Sequence, residues 1–133
     1  MKIRFLNSDA LGYVREKINS DQEFQIASRF MNENVLLEVD KTQCILKIRD
    51  GLVNDIMINP GPMESWSFVI RAPENAWEKL LKPFPPPFYQ GFFSASMRED
   101  FQFAGNLEAL FAHYWPTQRL LTILREFQNE GEK

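Results

Sequence analysis

"QCILKIRDGLVNDIMI", residues 43–58, holds two runs of alternating residues around Asp50-Gly51. Cys44, Leu46 and Ile48 alternate with Gln43, Ile45, Lys47 and Arg49, a period of two that fits a strand with one buried face. Asp-Gly between two such runs is the strongest short hairpin signal, so "LVNDIMI" is expected to return antiparallel. Upstream, "VLLEVD" sets Val35, Leu37 and Val39 against Leu36, Glu38 and Asp40. Downstream, "NPGP" at 59–62 breaks the run, and "SWSFVIR" resumes it with Trp66, Phe68 and Ile70 opposite Ser67, Val69 and Arg71. Residues 35–72 therefore read as a meander of four antiparallel strands with one face turned to a core.

The flanks read as helical. Over residues 1–34, Ser8 is placed to cap a short helix carrying Leu11, Val14 and Ile18. "SDQE" at 20–23 has capping-box spacing, with Ser20 as cap and Glu23 three residues on. Phe24, Ala27, Phe30 and Met31 then follow close to one helical stripe. "PENAWEKLLK", 73–82, is a helix with Pro73 in its first turn and Trp77, Leu80 and Leu81 on one side. "FQFAG", 101–105, reads as a strand, and Asn106 as the cap of a helix over 106–128. That helix is expected to bend near Pro116, whose ring clashes with the carbonyl of Ala112 and offers it no donor. The last residues, "QNEGEK", are expected to fray. The order of elements describes a single α+β domain over 1–133: a mostly antiparallel sheet of about five strands, with N-terminal and C-terminal helices on one face.

Between the helix at 73–82 and the strand at 101–105 stands "KPFPPPFYQGFFSASM" (82–97), with five aromatic rings and four prolines in sixteen residues. Neither period is present, so 83–97 reads as an irregular loop, with 83–87 favouring polyproline II. Each Phe or Tyr carries about 150–250 Å² of buriable surface. The largest apolar patch of an ordinary monomer is only about 300–600 Å². Rings in this number belong in the core, over a ligand cavity, or against a partner.

Composition narrows the function. The 133 residues are 44% hydrophobic and 25% charged, globular proportions, and the 14% aromatic content is high. A formal charge of −3 without a basic run argues against nucleic acid, whose binding rests on neutralised phosphates. A single cysteine leaves no internal disulfide and fits a reducing compartment. The opening residues lack the apolar core of a secretory signal, and no segment is apolar for the length of a membrane span, so a cytoplasmic location is expected.

Reactive groups are sparse. His113 is the only histidine, and one His with one Cys on separate elements is not a metal site. Cys44 falls on the apolar side of its strand and reads as a small core residue. Glu99 and Asp100 are adjacent on an extended chain, so their side chains diverge. No phosphate-binding glycine pattern or nucleophile elbow occurs. No catalytic residue, metal ligand or cofactor is assigned.

From about Val35 to Phe127 the chain resembles the sterol carrier protein type two domain. The likeness rests on "LKIRDGLVNDIMINPGP" (46–62), "SWSFVIRAPENAWEKLL" (65–81) and "DFQFAGNLEALFAHYWP" (100–116). They are similar to that family's Asp-Gly hairpin, its strand running into a helix with an inward Trp and a Leu pair, and its last strand turning into the closing helix. Asn106 replaces the family's usual acidic residue after the glycine and can still cap. The stretch from Pro83 to Phe93 replaces what is commonly a modest connection. The resemblance implies a hydrophobic tunnel between sheet and helices for fatty acyl chains, sterols or related molecules, and no catalytic centre.

The ring surplus and the resemblance together give the expected function: non-enzymatic carriage of an apolar or amphipathic small molecule. The expected wall is Phe68 and Ile70 of the sheet, Phe84, Phe88, Tyr89, Phe92 and Phe93 of the loop, and Phe111, Tyr114 and Leu124 of the last helix, with Trp77 below them. An accessory module meeting a protein partner or a second copy through the same loop is the alternative. A small enzyme on an apolar substrate, with His113 or a carboxylate as base, is the third reading.

Overall fold

A computed structural model describes residues 3–96 and 101–130; Met97, Glu99 and Asp100 lie outside them, as does the tail from residue 131. After two short 3-10 turns come α1 (Leu11–Asn19) and α2 (Gln22–Ser28), then β1 (Glu33–Val39), β2 (Thr42–Arg49), β3 (Leu52–Ile58) and β4 (Phe68–Ala72). They are followed by α3 (Glu74–Leu80), α4 (Phe92–Ser96), β5 (Gln102–Gly105), α5 (Leu107–Ala112) and α6 (Tyr114–Gln128). The sheet is five-stranded and mostly antiparallel, in the order β3-β2-β1-β4-β5.

The hairpin forms as its turn dictates. Asp50 and Gly51 both take positive φ, 51° and 78°, the pair of left-handed residues that matches strand twist in a two-residue turn. Gly51 is required for a second reason: a Cβ there would lie 2.7 Å from the carbonyl oxygen of Ser28. The turn is thus pressed against the end of α2, where Ser28 Oγ donates to the Gly51 carbonyl at 3.2 Å.

The meander stops at three strands. β1 pairs with β4 in parallel, Val35 opposite Phe68 and Leu37 opposite Ile70, so β4 lies beside β1 instead of beside β3. A parallel neighbour needs a crossover in place of a hairpin, and residues 59–67 provide it across the face away from the helices. Lys47 Nζ meets Glu64 at 2.7 Å there, and Asn34 Nδ2 donates to the Ser65 carbonyl at 2.9 Å. Beneath this connection Leu36, Ile45 and Val69 form a small second cluster. The main core lies on the other face, where Val35, Leu37, Leu46, Ile48, Phe68 and Ile70 meet the buried sides of α1, α2, α3, α4 and α6.

Two boundaries also differ from the sequence reading, and the last helix is interrupted close to Pro116. Asp21, not Ser20, caps α2: its Oδ2 accepts the Phe24 N–H at 2.8 Å. The segment 83–97 is not wholly irregular, because Phe92–Ser96 closes a helical turn. The last helix breaks at His113, between α5 and α6, ahead of Pro116. Pro116 then falls in the first turn of α6, where its missing N–H costs nothing.

Asp21 also holds Arg119 of α6, at 2.7 and 2.9 Å. That hydrogen-bonded pair keeps the Asp21 carboxyl below its usual range, with burial opposing. The stabilisation is therefore complete above the unfolded carboxyl pKa of about 3.9 and is lost as pH falls through the lower folded value. Asp21→Asn keeps the cap and removes the charge. Urea unfolding should show it about 1 kcal/mol less stable at neutral pH, with the gap closing in strong acid; a gap independent of pH would contradict the ion pair.

Candidate functional site

The interior between β4, α3, α4 and α6 gathers most of the expected wall. Phe68 and Ile70 point from β4 into the core and are fully buried, as are Trp77, Phe92 and Leu124, and Tyr89 is 4% exposed. Phe84 does not join them, being 91% exposed, and Phe88, held at φ 75°, is 44% exposed.

Two ring clusters result. Trp77 sits between Phe5 and Phe101, edge-on at 5.8 and 5.1 Å, and its indole N–H donates to the Glu38 carbonyl at 2.9 Å. The second cluster runs outward. Buried Phe92 meets Phe103 at 5.5 Å and Tyr114 at 5.1 Å. Tyr114 in turn touches Phe93 and Trp115, and Phe93 touches Phe111. Phe93, Phe111 and Trp115 are 40, 50 and 73% exposed, so a continuous file of rings leads from the core to solvent.

Polar contacts to α6 hold the stretch from α3 to α4 in place. Arg125 Nε donates to the Leu80 carbonyl at 2.8 Å, and its Nη2 to the carbonyls of Tyr89 and Gln90 at 3.2 and 3.1 Å. Gln118 Oε1 accepts the Phe92 N–H at 3.2 Å. Burial of the Arg125 guanidinium among backbone carbonyls lowers its pKa. Arg125→Met leaves those carbonyls without their donor and should cost about 2–3 kcal/mol. Proteolysis at 82–91 should quicken more than global unfolding does; equal acceleration of both would show that this segment has no separate opening.

Phe5, Phe101, Phe103 and Trp115 are the rings of these clusters that the sequence reading left out of the wall. The shared side of Phe101 and Phe103 on "FQFAG" was a usable signal; Phe5 lies in a 3-10 turn with no period to mark it.

The clefts bordered by described residues include one of about 390 Å³ near Ile3, Val39, Asp40 and Glu74. Others are of about 280 Å³ near Ala27, Trp115, Gln118 and Thr122, and about 180 Å³ near Leu11 and Asp55. None of these three is lined by an expected wall residue.

Among the described residues no three His, Cys, Asp or Glu side chains stand together as a metal would need. Cys44 is buried, and that pushes its thiol up to about 12, where no thiolate forms near neutral pH. Among the described residues no helix is long and apolar enough to cross a membrane.

Solved structures share this architecture. A crystal structure of sterol carrier protein 2 superposes with a TM-score of 0.75 at 20% identity, covering 92% of this chain and 98% of that one. The fold is that of sterol carrier protein 2. A conserved hypothetical protein of Thermus thermophilus, described as possibly a sterol carrier protein, gives 0.70 at 18% identity, over 94% of this chain and 90% of its own. A UbiJ-SCP2 ubiquinone synthesis protein gives 0.54 at 14%, over 85 and 90%. No family model and no curated protein matches the chain.

Proposed function

We propose that this protein binds and carries an apolar or amphipathic small molecule, a fatty acyl chain, sterol or related lipid, between the inner face of its sheet and α4–α6, without catalysing a reaction. The observation that carries the reading is the file of rings from Phe92 through Tyr114 to Phe93, Phe111 and Trp115, which joins a buried apolar interior to the surface. The sterol-carrier fold supports it, since its neighbours include proteins named as sterol carriers. Phe68, Ile70, Trp77, Tyr89, Phe92, Phe93, Phe111, Tyr114 and Leu124 are the proposed lining. A ligand enters as the segment between α3 and α4 shifts, since that segment is fastened by polar bonds that water can replace.

Delipidated protein titrated with fluorescent acyl, sterol and polyaromatic probes should bind at least one saturably, at one probe per chain. Failure with all three classes would overturn the reading.

The exposure of Phe111 and Trp115 favours a second reading, a contact with a protein partner or a second copy, because aromatic residues are enriched at interfaces. Light scattering of wild type and Phe111→Ser separates the two: the carrier reading expects a monomer in both. Phe92 is unsuited to that comparison because it is buried in the core.

A further inference from the structure

Thr117 stands in the first turn of α6, at the start of the buried stripe that continues through Leu120, Leu121 and Leu124. It has no solvent exposure, and its Oγ1 has no hydrogen-bond partner among the described residues. Helical hydroxyls can return to a carbonyl three or four residues back, as two others here do four back. Thr122 Oγ1 donates to Gln118 O at 3.1 Å, and Ser28 Oγ to Phe24 O at 2.6 Å. An unpaired buried hydroxyl is costly and rare in native interiors, and valine would fill the same volume without that cost. The other side chains with an unpaired buried atom include Asn34 and Asn129, each of which uses its amide nitrogen elsewhere. Thr117 has only the one polar atom.

Resting on the carrier reading above, we propose that Thr117 Oγ1 is the polar contact within the ligand site. It hydrogen-bonds a neutral oxygen, an alcohol or a carbonyl, on an otherwise apolar ligand. A hydroxyl both donates and accepts, so either oxygen type is satisfied. A carboxylate is disfavoured because burying it requires a paired cation. Both guanidiniums of α6 are committed, Arg119 to Asp21 and Arg125 to backbone carbonyls. His113 lies at the half-exposed break before α6.

The test displaces bound diphenylhexatriene with hexadecanol, hexadecane or palmitate, in wild type, Thr117→Val and Thr117→Ser. Wild type should prefer hexadecanol to hexadecane by about tenfold, the worth of one net hydrogen bond. Thr117→Val should abolish that preference with hexadecane affinity unchanged, and Thr117→Ser should keep it. Thr117→Val should also melt no lower than wild type, since it removes an unpaired polar atom. The assignment is overturned if the valine variant keeps the preference, if it melts lower, or if palmitate outcompetes hexadecanol. Those results leave the carrier reading intact. Absence of binding by diphenylhexatriene, hexadecane and the acyl, sterol and polyaromatic probes above would instead end both.

Discussion

Trp77→Ala should lower stability by about 3–5 kcal/mol, the range for truncating a large buried aromatic side chain. The indole is fully buried, is flanked edge-on by Phe5 and Phe101, and donates to the Glu38 carbonyl. Removing it therefore opens a cavity, ends two ring contacts and orphans an acceptor on β1. Total stabilities of about 5–15 kcal/mol mean that this one change consumes much of the margin. The melting temperature should fall by roughly 10 °C or more. Trp77→Phe isolates the hydrogen bond, since it keeps a ring, and should cost about 1–2 kcal/mol. Calorimetry of the two variants checks both values. A loss under about 1 kcal/mol in the alanine variant would contradict the packing.

Phe92→Ala is the second large effect, again about 3–5 kcal/mol. Phe92 is fully buried against Phe103 and Tyr114, on a helix of only five residues. The void left behind is apolar and enclosed, the kind of site that stays dry and accepts a benzene-sized guest. Benzene should therefore raise the melting temperature of Phe92→Ala by several degrees more than that of wild type. An unmoved variant would show that the space collapses, with α4 settling onto Tyr114. Phe93→Ala, at 40% exposure, should cost far less in the same assay.

Local chemistry was legible in the sequence and distant pairing was not. Asp50-Gly51 announces its hairpin because both left-handed positions belong to the dipeptide itself. The parallel partnership of β1 with β4 has no such mark, since nothing in "SWSFVIR" says which strand it will lie beside. Ser20 and Asp21 are both good caps side by side, but Ser20 closes α1, its Oγ donating to the Lys17 carbonyl, while Asp21 caps α2 and is held by Arg119 of a distant helix. Phe84 and Phe92 are the same residue in one proline-rich segment, yet one is exposed and the other buried. Their difference comes from Gln118 and Arg125, which fix the segment on α6 from more than twenty residues away. A five-residue helix is also too short to show a period, so α4 could not be seen in advance.

The side-by-side run of β1 and β4 bears on how the chain reaches its native state. β1, β2 and β3 are joined by two tight turns and close over few residues. Val35 and Phe68, by contrast, meet across 33 positions of chain. Closing so long a loop costs entropy before any contact repays it, and such pairings slow folding. Refolding kinetics should therefore show β1–β3 protected from hydrogen exchange first, with β4, and β5 beyond it, docking in a later step that sets the rate.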